Sequence, residues 1–303
     1  MKRFIAQLLV FLTIVVVIDV ACGFAFMQIE SKAKGGFTYR DNYICDVLET
    51  DVLVSGSSRC VRHYNPQIIT DSLGLSCYNA GQMGNGIILN YGRLRMIDER
   101  KKPSVIIYDL HPEFDLLSGD DNHRYLTWLK SHYGRDGVAE IFESIDKTEK
   151  FKMKSQMYRY NSRWVEMIMN YVHPITEARS DGFSPLFGEM DKTKIHAKGA
   201  WTNLDYQFDE LKISYISKMI DEAEGTKLFF VVSPIWYGMD TQQFVPVKQM
   251  CEERGIPFID YSNNPKYVGD CEYFKDGLHL NALGADEFTR DLMALLKEEL
   301  YKK

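Results

Sequence analysis

Five short apolar segments constrain the fold of this chain more than any other feature of its sequence. They lie at 52–55, 76–79, 104–109, 227–232 and 257–260. Stretches with helical periodicity alternate with them, at about 66–72, 86–99, 206–224, 241–253 and 282–301. Strands that alternate with helices predict an α/β fold with a parallel sheet covered on both faces. Ligands of such sheets bind outside the carboxyl ends of the strands.

The regular alternation stops between Leu110 and Gly199. This part of the chain is rich in aromatic and charged residues, including Tyr125, Trp128, Tyr158, Tyr160 and Trp164. It is too long for a plain connection, so we predict a helical insertion at about 110–200, over the carboxyl edge of the sheet. We interpret its aromatic side chains as core residues rather than as a platform for a sugar.

The N-terminus reads Met1-Lys2-Arg3 and continues as an apolar run from Phe4 to Phe26. At about 1.5 Å per residue this run reaches roughly 34 Å, enough to cross a bilayer core of about 30 Å. Lys2 and Arg3 would stay on the cytoplasmic side, so the rest of the chain would be exported.

Two alternatives to an uncleaved anchor are open at this point. A cleaved signal peptide could use the small residues near Ala21 and Ala25. A lipoprotein attached through Cys22 is disfavoured, because Asp19 stands where an aliphatic residue is required. Residues 1–26 are therefore predicted as a membrane anchor or signal peptide, 27–50 as a connecting segment and 51–303 as the α/β domain.

Composition excludes several function classes. The 303 residues carry a net charge of −6 and no concentrated basic stripe, so nucleic acid is not an expected partner. The cysteines after Cys22 show no C-x-x-C spacing, and Asp109 with His111 lacks a third ligand, so we expect neither a metal nor another cofactor. Free thiols are expected, with a Cys251–Cys271 disulfide as the alternative.

Two distant segments carry the candidate chemistry. Gly56-Ser57-Ser58 follows the first apolar segment, and Asp276-Gly277-Leu278-His279 precedes the last helix. A serine becomes a nucleophile only when a base takes its proton and donors stabilise the resulting oxyanion. A hydroxyl in one segment with a carboxylate and an imidazole in the other predicts a serine hydrolase.

These segments resemble the first and last motif blocks of the SGNH, or GDSL-like, hydrolase superfamily. The resemblance covers roughly residues 51–110 and 227–300. It implies a three-layer α/β/α sandwich with a flavodoxin-like sheet. It assigns Ser58 as nucleophile, His279 as general base and Asp276 as the residue that orients His279. Ser57 replaces the aspartate that usually precedes the nucleophile.

The middle blocks match less well. The resemblance places the amide of Gly84, with Gly81 as an alternative, beside that of Ser58 in the oxyanion hole. The usual G-x-N-D block is replaced by the segment 109–115, which puts Glu113 near the place of the asparagine. An ionised carboxylate would repel an oxyanion. Arg59, His111 and Glu113 are kept as candidate substrate-binding residues, with ion pairing as the alternative for Arg59.

The layout is similar to that of membrane-anchored relatives acting on cell-envelope polymers, including those of alginate acetylation and teichoic-acid D-alanylation. The leading expectation is a membrane-attached, exported serine esterase that removes acetyl or other small acyl groups from a carbohydrate or envelope polymer. One alternative is an O-acyltransferase that uses the same triad. The other is an inactive polysaccharide-binding or assembly component, an alternative motivated by Glu113.

Overall fold

The computed structural model describes residues 1–119, 121–174, 181–191, 193 and 206–301. The chain divides into two compact units. The helical unit comprises Met1–Val47 and Asn122–Glu177, and the sheet unit comprises Leu48–Asp121 and Ala178–Lys303.

The sheet has five parallel strands in the order β2-β1-β3-β4-β5, so the predicted flavodoxin-like order is confirmed. The strands are β1 (Val52–Gly56), β2 (Cys77–Asn79), β3 (Val105–Asp109), β4 (Lys227–Val232) and β5 (Phe258–Asp260). Every residue of β1 and β3 is buried. This is the pattern expected of strands that helices cover on both faces.

The helices of the described residues fall into thirteen α-helices and a few short 3-10 and π segments. The α-helices are α1 (Lys2–Ser31), α2 (Gly36–Asn42), α3 (Ser58–His63), α4 (Pro66–Leu73), α5 (Ile87–Asp98), α6 (Pro112–Asp115), α7 (Val138–Ile145), α8 (Glu149–Lys152), α9 (Gln156–Arg159), α10 (Trp164–Val172), α11 (Glu210–Glu222), α12 (Val245–Arg254) and α13 (Ala282–Tyr301). The other segments are the π-helix Tyr43–Val47 and the 3-10 helices Asn122–Trp128, Lys130–His132 and Thr241–Phe244.

Helices cover the sheet on both sides, which makes the three predicted layers. On one side Phe288 and Leu292 of α13 pack in one core with Val54 of β1 and Val231 of β4. On the other side the side-chain Nδ2 of Asn90 in α5 donates to the Tyr108 hydroxyl of β3, 3.4 Å away. Tyr91 of α5 meets Tyr215 of α11, with ring centroids 5.4 Å apart.

Local sequence signals set the ends of several of these helices. Asn65 caps α4 by accepting from the Gln67 amide, and Pro66 occupies the first helical position. Asp209 accepts from two amides at the start of α11. Asn281 accepts from the Gly284 amide at 3.0 Å, which makes it the expected cap of α13.

The helical unit differs from the sequence expectation in two respects. The apolar helix continues to Ser31, and most of 36–47 is helical, so the expected connecting segment 27–50 is folded over much of its length. The expected insertion is present as short helices between Pro112 and Val172. Its expected end, at about residue 200, lies outside the described residues.

All six cysteines are free thiols, including Cys251 and Cys271.

Candidate active site

Ser58 lies at the carboxyl edge of the sheet, as the first residue of α3 immediately after β1. Gly56, the last residue of β1, has φ +149°, and a Cβ there would lie 2.6 Å from the Asp109 carbonyl oxygen. Only glycine therefore lets the end of β1 run this close to the end of β3. This close approach fixes the turn that presents Ser58.

The structure brings Ser58, His279 and Asp276 together. Ser58 Oγ lies 2.9 Å from His279 Nε2. On the other side of the imidazole, Nδ1 lies 3.0 Å from both Asp276 Oδ1 and Oδ2. The order hydroxyl, imidazole, carboxylate is the arrangement that activates a serine by general base catalysis.

Asp276 is held in its ionised form. Burial alone raises the pKa of this carboxyl, but hydrogen bonds from the His279 ring and from the amides of Leu278 and His279 lower the pKa below its usual value. Both amides donate to Asp276 Oδ1 at 2.9 Å. The Asp276 side chain is nevertheless 53% exposed, so this end of the Ser58–His279–Asp276 arrangement is open to solvent.

A second histidine, His63, supports the loop that carries His279. The amide of Leu280 donates to His63 Nε2 at 2.9 Å, and His63 Nδ1 lies 2.9 Å from Ser233 Oγ. Burial lowers the pKa of His63 well below its usual value, and the nearby His279 ring and the Arg59 charge lower it further. The neutral ring therefore carries its proton on Nδ1 and donates it to Ser233.

Sequence reasoning missed His63 and Ser233 as parts of the site. No motif sets His63 apart from the other histidines of the chain. A signal for Ser233 was present, because it directly follows β4 and so lies at the ligand-binding edge of the sheet. No sequence signal links Ser233 to His63, 170 residues earlier.

Arg59 occupies the interior rather than a substrate surface. Its side chain is fully buried, donates to the Leu110 carbonyl at 2.5 Å and pairs with Asp109 at 3.7 Å. Asp109 also accepts from the Tyr64 hydroxyl at 2.7 Å and from the Ser233 amide at 3.1 Å. This placement supports the ion-pairing alternative for Arg59 and does not support contact with substrate.

The two candidate oxyanion glycines have different surroundings. Gly84 has φ +65°, and a Cβ there would meet nothing within 4 Å. Gly81 packs against Cys60, and its amide donates to Asn79 Oδ1 at 3.1 Å. The Gly81 amide is therefore engaged within the fold, and Gly84 keeps the place that the family resemblance gives it.

His111 and Glu113 differ in environment. His111 follows β3 and stacks on Phe114, with ring centroids 4.3 Å apart. Burial, with the Arg59 charge and the nearby His279 ring, lowers the pKa of His111 well below its usual value, so the ring is neutral. Glu113, in α6, is exposed. Asp115, in contrast, is buried and accepts from the His111 amide at 2.6 Å, which fixes the turn after β3.

Two groups of metal-ligating side chains occur among the described residues, both in the helical unit. They are Asp41, Cys45 and His132, and His123, Asp146 and Glu149. Burial lowers the pKa of His132, but Cys45 and Asp41 outweigh burial and raise this pKa to well above its usual value. Arg163 pairs with Asp41 at 3.4 Å. Lys152 contacts both carboxylates of the second group, at 2.7 and 3.1 Å. In each group a positive side chain from outside it thus already lies against a carboxylate.

No family model and no curated protein sequence matches the chain. Two solved structures align with it over long stretches. A structure from Streptococcus pneumonia, provisionally described as a platelet activating factor, is 14% identical with a TM-score of 0.40, over 98% of this chain and 99% of that one. An acetyl xylan esterase from Butyrivibrio proteoclasticus is 9% identical with a TM-score of 0.38, over 84% of this chain and 65% of that one. Similarity this low carries no argument about activity, so the function must be argued from the site itself.

Proposed function

We propose that this protein is a membrane-attached, exported serine esterase that removes small acyl groups, most simply acetyl, from a carbohydrate or cell-envelope polymer. One observation carries the proposal: Ser58 Oγ lies 2.9 Å from His279 Nε2, while Asp276 holds the opposite nitrogen of the same ring. A hydroxyl and an imidazole in this geometry can exchange a proton as the hydroxyl attacks a carbonyl.

The reaction proceeds through an acyl-enzyme. His279 Nε2 takes the Ser58 proton while Oγ attacks the acyl carbonyl carbon, and the protonated ring then donates to the departing sugar hydroxyl. His279 then takes a proton from water as the water oxygen attacks the acyl carbonyl carbon, and it returns this proton to Ser58 Oγ as the bond from Oγ to the acyl group breaks and the carboxylic acid leaves. Throughout, ionised Asp276 keeps the proton of the neutral ring on Nδ1 and stabilises the imidazolium that forms.

The oxyanion of each tetrahedral intermediate requires donors. We assign this role to the amides of Ser58 and Gly84, with His111 as the third donor in place of the asparagine expected from the family resemblance. His111 suits the role because it lies two residues after the end of β3 and is neutral, and a neutral imidazole has one N–H to donate. Glu113, whose carboxylate would repel the oxyanion, is left without a role.

The exposure of the triad favours hydrolysis over acyl transfer. The Asp276 side chain is 53% exposed and that of His279 is 22% exposed, so water can reach the acyl-enzyme. A transferase must keep water out while a sugar hydroxyl attacks. The complete set of triad contacts likewise favours a working enzyme over an inactive binding component.

The test is acetate release from acetylated xylan and from 4-nitrophenyl acetate by the full-length protein in nanodiscs. We expect release by wild type and none above background by Ser58→Ala. An oligosaccharide acceptor should not divert the acetyl group. Faster transfer than hydrolysis would replace the esterase with the acyltransferase, and equal rates for wild type and Ser58→Ala would rule out both.

A further inference from the structure

The α10 helix of the helical unit exposes most of its large apolar side chains, with Met167 buried, and turns its polar side chains inward. Its exposed large apolar residues are Trp164, Val165, Met169, Tyr171 and Val172, between 48% and 58% exposed. Asn170 is buried, and Glu166, the only charged residue of α10, is partly buried. A surface helix of a water-soluble domain shows the opposite arrangement. A contiguous apolar surface of this kind marks an interaction site.

The polar residues of this region are bound within the unit. Glu166 accepts from the Thr38 amide at 3.2 Å and from the Thr38 hydroxyl at 2.6 Å, and it contacts Asn170. Just before α10, the buried Arg163 pairs with Glu30 at 3.5 Å and with Asp41 at 3.4 Å. The outward apolar face is therefore a consequence of specific inward contacts, and rotation of α10 would break them.

The apolar helix α1 packs against the segment that leads into α10. Asp19 accepts from Ser155 Oγ at 2.5 Å and from the amides of Gln156 and Met157 at 2.7 and 3.1 Å. A Cβ on Gly23 would collide with the Gln156 side chain, so a glycine is needed there. Further along α1, the rings of Phe26 and Tyr160 lie 5.6 Å apart. These contacts make α1 an integral part of the helical unit.

Helix geometry places the contact between Asp19 and the start of α9 within the membrane. If Phe4 marks one boundary of the hydrocarbon, Asp19 lies about 22 Å further along α1, roughly 8 Å short of the opposite boundary of a core about 30 Å thick. The start of α9 is hydrogen-bonded to Asp19, so it lies at the same depth. The residue before α10, Arg163, pairs with Glu30, which lies about 17 Å beyond Asp19 along α1, so α10 begins at the level of the membrane interface with its apolar face uncovered. Trp and Tyr are the residues enriched at that level.

We propose that α1 is retained as a membrane helix and that the exposed face of α10, together with Met157, lies in the lipid leaflet opposite Lys2 and Arg3. Lipid is the occupant because this face continues the lipid-facing surface of α1, whose own apolar side chains are mostly exposed. The inference concerns the helical unit alone and goes beyond the proposed esterase activity.

The test is depth-resolved fluorescence quenching of the full-length protein in nanodiscs. The chain has four tryptophans, so the difference in emission between wild type and Trp164→Phe isolates Trp164. We expect this emission to be quenched by lipids brominated near the carbonyl end of their acyl chains and to be insensitive to iodide in the buffer. Val16→Trp and Phe187→Trp, each made in the Trp164→Phe background, calibrate lipid and water exposure at residues 60% and 74% exposed.

Quenching of Trp164 by iodide but not by brominated lipid would overturn the proposal. Protection from both quenchers only when two copies share a nanodisc would also overturn it, because a second copy would then cover the face. The intact mass of the mature protein tests retention of α1 separately. A mass that starts after Ala21 or Ala25 would contradict the proposal, since Asp19 and its three hydrogen bonds would be absent.

Discussion

The two units distribute polar and apolar residues in opposite ways. In the sheet unit, apolar strands fill the interior and the reactive groups Ser58, His279 and Asp276 gather at the carboxyl edge of the sheet. In the helical unit, Arg163 and Asp41 are buried while the apolar face of α10 is exposed. The first arrangement suits water and chemistry in a cleft. The second suits a surrounding that is itself apolar.

The largest expected effect is loss of activity on removal of the nucleophile. Ser58→Ala should lower kcat by about 10³-fold or more, because the acyl-enzyme cannot form. Ser57→Ala is the matched control, because the Ser57 hydroxyl lies next to Ser58 in the chain, is buried and has no hydrogen-bond partner among the described contacts. Kinetics on 4-nitrophenyl acetate should show loss only in the first variant. Equal losses would mean that the turn, rather than the Ser58 hydroxyl, is required.

The next effect tests His111 as an oxyanion donor. His111→Ala should lower kcat by about 10²–10³-fold, the usual cost of one such donor. His111→Asn, which retains an N–H donor, should recover part of this loss. Glu113→Gln should change kcat little, because its side chain lies on an exposed part of α6. A large loss in Glu113→Gln, with full activity in His111→Ala, would reverse the assignment.

A smaller effect is expected from His63, which we assign as a positioning residue. His63→Ala leaves the Leu280 amide unpaired, which should cost about 1–3 kcal/mol of stability. It should also lower kcat about tenfold with little change in KM, because His279 loses its fixed position.

Thr289→Val is the structural control for His63. The Thr289 hydroxyl bonds the His63 carbonyl and the Asn65 amide but does not touch the Leu280 amide. The control should therefore lose stability without an equal loss of kcat. A fall in kcat that simply follows stability in both variants would leave His63 with a structural role only.

Introduction of charge on exposed apolar residues compares the two units directly. Met169 on α10 is 56% exposed and Leu295 on α13 is 41% exposed. In nanodiscs Met169→Asp should lower the melting temperature by several degrees, because a charge must enter lipid, while Leu295→Asp should be nearly neutral. The readout is the unfolding transition of each variant. A neutral Met169→Asp would remove the contrast between the units.

The smallest effect is a pH dependence at the start of the sheet. Asp51 accepts from Lys101 and Ser76, and these hydrogen bonds lower its pKa to about 2. Its folded pKa lies below the unfolded value of about 3.9, so its contribution to stability is present above pH 4 and is lost as the pH falls towards 2. Asp51→Asn should cost about 1 kcal/mol at pH 7 in chemical denaturation, and the cost should shrink as the pH falls from 4 and vanish only below pH 2. A difference that does not change with pH would exclude this ion pair as its cause.

Much of the sheet unit could be predicted from the sequence because its signals are local. Each strand is a short apolar run, and each of the longer helices has a periodicity or a cap, such as Asn65 or Asn281. The six-residue helix α3 was missed because it is too short to show a period. Ser58, His279 and Asp276 can be predicted as candidates because each belongs to a motif with fixed spacing.

Residues that depend on long-range contacts could not be predicted. The bonds from His63 to Ser233 and to the Leu280 amide join three separate parts of the chain. Burial of Arg59 follows from Asp109 and Leu110, which only the sheet topology brings near. In the helical unit, periodicity predicts helices but does not say which face meets lipid. The exposed face of α10 is decided by the inward orientation of the Glu166 side chain. That orientation depends on its hydrogen bond with Thr38, 128 residues earlier.

The most direct test of the central claim is labelling of the full-length protein with a serine-reactive organophosphonate, followed by mass spectrometry. The account predicts one adduct, on Ser58, that is lost in both Ser58→Ala and His279→Ala while each variant stays folded. An adduct on Ser58 that forms equally well in His279→Ala would contradict activation by the triad. No adduct on the folded wild type would contradict the proposed esterase.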